Sequence, residues 1–298
     1  MGASKFRLDL AYDGLGFHGW AKQPGLHTVQ GILEESLNRI LHLTGEDQIF
    51  LVVAGRTDVG VHARAQVAHF DLPEMVDQEK FVGTFLPRGA SEDSKHDISE
   101  LFAQKLCVKL NSMFSRAGEI VIQRVRPVDT SFDARFSALS RTYQYLVADA
   151  LSEKDPLARA NTVWLLPELN LELLNAAAAA LIGLHDFATF CRPRPEATTI
   201  RTLQRFSWSR DAQGVLIAEL QADAFCHSMV RALIGGCIAV GEGRLGVDEF
   251  VSLHQAAVRT SAFKVMPAKG LTLMGVQYPH STEWAARDVQ TRARRSVE

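Results

Sequence analysis

The chain is poor in cysteine. Four occur in 298 residues (Cys107, Cys191, Cys226 and Cys237), and no two form a CxxC pair. Reduced thiols in a cytoplasmic protein are therefore expected. No run of 18 apolar residues occurs, which excludes a membrane-spanning helix. Met1–Phe6 lacks the apolar stretch of a signal peptide, and Phe6 stands where a myristoylation signal needs Ser or Thr. Excess charge of one sign is missing too. The 32 Lys and Arg against 34 Asp and Glu leave a net charge of −2, which counts mildly against a nucleic-acid binder. The charge is unevenly spread, however. Glu74 to Glu100 holds seven acids and three basic residues, whereas Arg192, Arg194, Arg201, Arg205 and Arg210 face only Glu196. Such a basic face can hold a phosphate backbone; a solvated surface is the plainer reading.

Apolar residues make up 47% and charged residues 22%, enough for a real core in one large or two ordinary domains. Phe6, Leu8, Leu10 and Tyr12 alternate as on a half-buried strand. Thr28 is an N-cap for a helix through Val29, Ile32, Leu33, Leu37, Ile40 and Leu41. Strand runs follow at Ile49–Val53 and Ala65–Asp71. Pro73 to Asp97 reads as polar loop with part of a helix. A second helix runs from Ile98 to Phe114, Gly118 ends it, and Ile120–Ile122 opens a strand. The order β-α-β-β-α-β then recurs. Its second set is a strand at Arg141–Val147, an Asn170-capped helix to Ile182 with Gly183 at C′, and strands at Leu203–Arg210 and Val215–Ala222. A helix from Phe225 to Ile238 and a strand at Leu271–Val276 complete it. The expected fold is α+β, with two ferredoxin-like halves of antiparallel sheet around a central cleft. The divisions are residues 1–128, 129–280 and an Arg-rich tail at 281–298, read as a surface helix or a disordered end.

Chemistry-bearing residues concentrate in Gly55-Arg56-Thr57-Asp58-Val59-Gly60-Val61-His62-Ala63, between two strand runs. A hairpin with an Asx-turn would explain the glycines and the Asp. The loop also resembles the catalytic loop of the TruA family of tRNA pseudouridine synthases, Gly-Arg-Thr-Asp-x-Gly-Val-His-Ala, at every specified position. Further segments are similar to that family: Asp13-Gly14 to Gln23, Ala134-Arg135-Phe136 with Arg141-Thr142-Tyr143-Gln144-Tyr145, Gly183-Leu184-His185-Asp186-Phe187, Phe225 to Gly235, and Pro267 to Leu273.

The resemblance implies a cofactor-independent enzyme that isomerises uridine at positions ~38–40 of the tRNA anticodon stem-loop. It also implies a homodimer with tRNA as substrate. Asp58 would be the nucleophile; a carboxylate is ionised at neutral pH without help. Arg56 would flip the base, Tyr143 would stack on it, and Leu271 would line its pocket. Arg231, on an apolar helix, needs a partner if buried, and Asp58 is the natural one. Thr57 and His62 read as loop-shaping hydrogen-bond partners. Tyr145 shares the face of Tyr143, so spacing alone does not choose between them. The segment Pro87 to Ser99 looks like an insertion relative to compact members. Two alternatives stand beside this one. The first is a non-catalytic RNA-binding protein on two such sheets, although no RNP aromatic motif is present. The second is a metal hydrolase using Asp58, His62, His69, Asp71, His185 and Asp186.

Overall fold

The computed structural model describes residues 4–84, 98–192 and 198–292. Two compact units emerge. One takes in Met1–Val59, Ala63–Ala138 and Tyr278–Thr291; the other takes in Gly60–His62, Leu139–Gln277 and Arg292–Glu298.

In the first unit the alternation of β1 (Lys5–Tyr12) holds, with Phe6, Leu8, Leu10 and Tyr12 all buried. Thr28 caps α1 (Val29–Ile40), its Oγ1 accepting the Gly31 N–H at 3.3 Å. The next strand, β2, is only Val52–Val53. The shortening from the expected Ile49–Val53 has a cause on α1. Asn38 Oδ1 accepts the Ile49 N–H at 2.7 Å, and Glu34 Oε1 accepts the Leu51 N–H at 3.0 Å. Side chains thus take backbone groups that a strand partner would otherwise satisfy. After β3 (His62–Asp71) come α2 (Gln78–Gly83), α3 (Ile98–Phe114) and β4 (Ile120–Val128). The segment read as an insertion at Pro87–Ser99 lies, up to residue 97, outside the described residues.

The unit's strands run β4-β1-β3-β2, antiparallel at each pairing. Val29, Leu33 and Leu37 of α1, with Phe102, Leu106 and Leu110 of α3, are buried in its core. The Phe6 ring lies 5.7 Å from Phe70 and 5.1 Å from Phe102.

The second unit is built from β5 (Ser140–Ala148), β6 (Val163–Trp164), α4 (Leu171–Ala179), β7 (Gly183–Asp186), β8 (Ile200–Arg210) and β9 (Leu216–Ala222). It continues through α5 (Met229–Gly241), α6 (Val247–Gln255) and β10 (Leu271–Gln277). Its order is β10-β5-β9-β8-β7, with β6 parallel to β5. Two expectations are corrected here. First, α4 stops at Ala179, and Gly183 is not its C′ residue but opens β7 at φ +129°, opposite Leu203. Second, α5 starts at Met229, not Phe225, because Ser228 turns the chain at φ +63°. Cys191 and Cys226, 35 residues apart in the sequence, lie side by side with a Cα–Cα distance of 5.7 Å.

The chain returns to the first unit in α7 (Trp284–Arg292), where the Trp284 ring sits 4.8 Å from Phe132. The tail is therefore helical over that span; Arg294 and Arg295 lie outside the described residues. No described helix is long and apolar enough to cross a membrane.

Candidate active site

The loop from Gly55 to Asp58 is held in the first unit by backbone and side chains together. The Trp20 N–H donates to Thr57 O at 3.1 Å. Gln66 Nε2 donates to Gly55 O at 2.9 Å. The Tyr12 hydroxyl and Thr57 Oγ1 are 2.8 Å apart. Gly19, at φ +85°, lets the preceding loop approach closely; a Cβ there would meet Thr57 O at 3.0 Å. Thr57 is buried, Asp58 half-buried and Arg56 exposed. The two candidate functional side chains therefore flank a residue that is anchored inward. Tyr12 and Gln66 are additions that motif matching missed. The available signal was Gln66 itself, a polar residue fully buried within an apolar strand.

Gly60–His62 belong to the second unit. His62 Nε2 lies 3.2 Å from Ala160 O and 3.1 Å from Lys269 O. The imidazole is thus committed to backbone carbonyls, which matches the loop-shaping role expected of it.

Tyr143 and Tyr145 lie on β5 and differ in environment. Tyr145 is fully buried, and its hydroxyl donates to Pro267 O at 2.7 Å. Burial pushes its pKa up strongly, against a smaller opposing pull from Arg231. A Cβ on Gly270 would meet its ring at 2.7 Å, so glycine is required there. Tyr143 keeps 8% exposure, and its ring meets Phe225 edge-on at 5.2 Å. Arg231, half-buried on α5, donates from Nε to Met266 O at 2.6 Å. Its neighbour Gly235 has no room for a side chain, since a Cβ would overlap the Lys264 carbonyl. Leu271 is buried at the start of β10, opposite Tyr145.

Other candidate groups are engaged in local hydrogen bonds. Asp186 caps its own turn, accepting from Ala188 N–H at 3.0 Å and Thr199 Oγ1 at 2.5 Å. His69 Nδ1 accepts the Ala134 N–H at 3.0 Å, and burial lowers its pKa. Among the described residues no three His, Cys, Asp or Glu side chains group as metal ligands. Within the basic stretch Arg205 pairs with Glu219, and Arg210 makes a two-pronged contact with Asp149 at 2.8 and 2.9 Å. Those two guanidiniums are engaged with carboxylates. Arg192 is exposed, and Arg194 and Glu196 lie outside the described residues.

Comparison with known proteins agrees with the motif. A family model described as tRNA pseudouridine synthase matches residues 177–279. The tRNA pseudouridine synthase A of Leifsonia xyli subsp. xyli is 49% identical over 296 residues, covering 99% of each chain. That of Frankia casuarinae is 46% identical over 293 residues, covering 98% of this chain and 96% of the relative. That of Cutibacterium acnes is 43% identical over 295 residues, covering 98% and 95%. Identity at this level along nearly the whole length places the chain in a family: it belongs to the tRNA pseudouridine synthase A family.

Proposed function

We propose that this chain isomerises uridine at positions ~38–40 of the tRNA anticodon stem-loop, with Asp58 as the nucleophile. Family membership makes it a tRNA pseudouridine synthase, an isomerase that acts on uridine in tRNA. The reaction breaks the C1′–N1 glycosidic bond, turns the uracil, and joins C5 to C1′. N1 gains a proton and C5 loses one, so no electrons are exchanged with a redox cofactor. The Asp58 carboxylate would engage the sugar as the C1′–N1 bond breaks and would leave when C5 closes the new bond.

The observation that carries this reading is the complete Gly55–Ala63 motif on a loop that pins Thr57 inward and leaves Arg56 exposed beside a half-buried Asp58. By resemblance, Arg56 fills the gap left by a flipped base and holds phosphate, Tyr143 stacks on the base, Leu271 lines its pocket and Arg231 keeps the carboxylate charged. In each unit the last strand, the first, the third and the second of the expected β-α-β-β-α-β set lie side by side, as β4-β1-β3-β2 and β10-β5-β9-β8. That order supports reading both as ferredoxin-like halves, at 1–128 and 129–280 with a tail at 281–298. The resemblance further supports a cytoplasmic homodimer.

Anticodon stem-loop transcripts carrying uridine singly at each position ~38–40 test the target. Conversion to pseudouridine at those sites is expected. Conversion only of uridines elsewhere in full tRNA would contradict the anticodon assignment while leaving the isomerase intact.

A further inference from the structure

We propose that Tyr12 and Gln66 are positioning residues for the Asp58 loop, acting through Thr57. The inference rests on the reading of Asp58 as nucleophile and adds the group that sets its place.

The hydrogen bonds form one connected network. Gln66 Oε1 accepts the Val67 N–H at 3.2 Å, which orients the amide. Its Nε2 then donates to Gly55 O at 2.9 Å and to the Tyr12 hydroxyl oxygen at 3.2 Å. The Tyr12 hydroxyl in turn shares a hydrogen bond of 2.8 Å with Thr57 Oγ1, which either oxygen can donate. Burial pushes the Tyr12 pKa up to about 12, against opposing pulls from the Thr57 and Gln66 hydrogen bonds, so the hydroxyl keeps its proton at neutral pH. The network therefore links Gln66 Nε2, the Tyr12 hydroxyl and Thr57 Oγ1, with a branch to Gly55 O. Tyr12 is 4% exposed, Thr57 6% and Gln66 0%. Water does not compete readily at such sites, so each bond is held in low dielectric.

The network grips residues 55 and 57, one on each side of Arg56, and the second grip is directly before Asp58. Trp20 N–H holds the same residue by its carbonyl at 3.1 Å. With the carbonyl and the side chain of Thr57 both fixed, the chain leaving Thr57 toward Asp58 starts from a fixed point. Deleting the Tyr12 hydroxyl removes the side-chain half of that clamp and leaves Thr57 free to change rotamer. A shift of about 1 Å at a reacting group costs roughly 100-fold in rate.

The test compares Tyr12→Phe, Thr57→Val, Thr57→Ser and Asp58→Asn in kcat and KM for tRNA, at a temperature where melting curves show each folded. Tyr12→Phe and Thr57→Val should each lower kcat about 10- to 100-fold, with KM within about twofold, because ground-state tRNA binding does not use the buried hydroxyls. Thr57→Ser keeps Oγ and should recover most of kcat; a purely packing role would instead track the lost methyl. Wild-type kcat in folded Tyr12→Phe and Thr57→Val, with Asp58→Asn inactive, overturns the positioning role and spares the nucleophile. Turnover by Asp58→Asn overturns both.

Discussion

Asp149 is fully buried, and it carries its charge because Arg210 reaches it. Burial alone would raise its pKa, but the Arg210 guanidinium, the Leu169 N–H and the Ser152 hydroxyl outweigh that and hold it at about 2. A depressed folded-state pKa stabilises the fold above the unfolded value near ~3.9, and this contribution is lost as pH falls toward about 2. Wild type should therefore lose on the order of 2 kcal/mol more than Asp149→Asn between those limits, read by urea unfolding. Arg210→Met leaves the carboxylate buried and unpaired and should cost ~3–5 kcal/mol at neutral pH. A loss below about 0.5 kcal/mol would show that water already serves Asp149. Arg210 was visible in the sequence only as one of five arginines. Its partner lies 61 residues away, just past the end of β5, and no spacing rule joins them.

Between elements, one device recurs three times. Asn38 of α1, Asn111 of α3 and Asn175 of α4 each offer an amide to one residue's backbone, at Ile49, Ile122 and Trp208 respectively. Ile122 is on β4, the edge strand of its unit, and Trp208 lies beyond the stretch of β8 that β7 covers. The amide thus supplies the donor and acceptor that a missing neighbour strand would have supplied. Asn111→Leu fits the helix but orphans the Ile122 N–H and leaves the Ile122 carbonyl only the Cys107 thiol at 3.5 Å, and unfolding free energy should fall by ~1–3 kcal/mol. Unchanged stability would mean those groups find water.

The same device explains why strand boundaries were less legible than strand existence. Apolar periodicity found β1, α1, α3, β5, β8, β9 and β10, because burial of one face follows from spacing. It overran β2, where Asn38 and Glu34 capture the backbone, and it missed α6 and the short strands β6 and β7. It also carried α4 too far, since an alanine run does not say where pairing with Leu203 begins. The site divides the same way. The loop motif pointed to Arg56 and Asp58. Tyr12, by contrast, read only as an apolar face of a strand, because what its hydroxyl meets lies 45 residues on.

At the scale of the whole molecule, two units each carry residues that the family resemblance assigns to one reaction: Asp58 and Arg56 in the first, Tyr143, Arg231 and Leu271 in the second. The kinship with tRNA pseudouridine synthases A extends over almost the full chain, so the isomerase chemistry belongs to the protein as a whole. What remains to be measured is whether that chemistry passes through Asp58. The direct measurement is pseudouridine formation in an unmodified tRNA transcript by wild type and Asp58→Asn side by side, with tRNA binding measured in parallel. The substitution keeps size and shape but removes the charge. The account predicts that the variant binds tRNA and forms no pseudouridine; a variant that still converts uridine would contradict it.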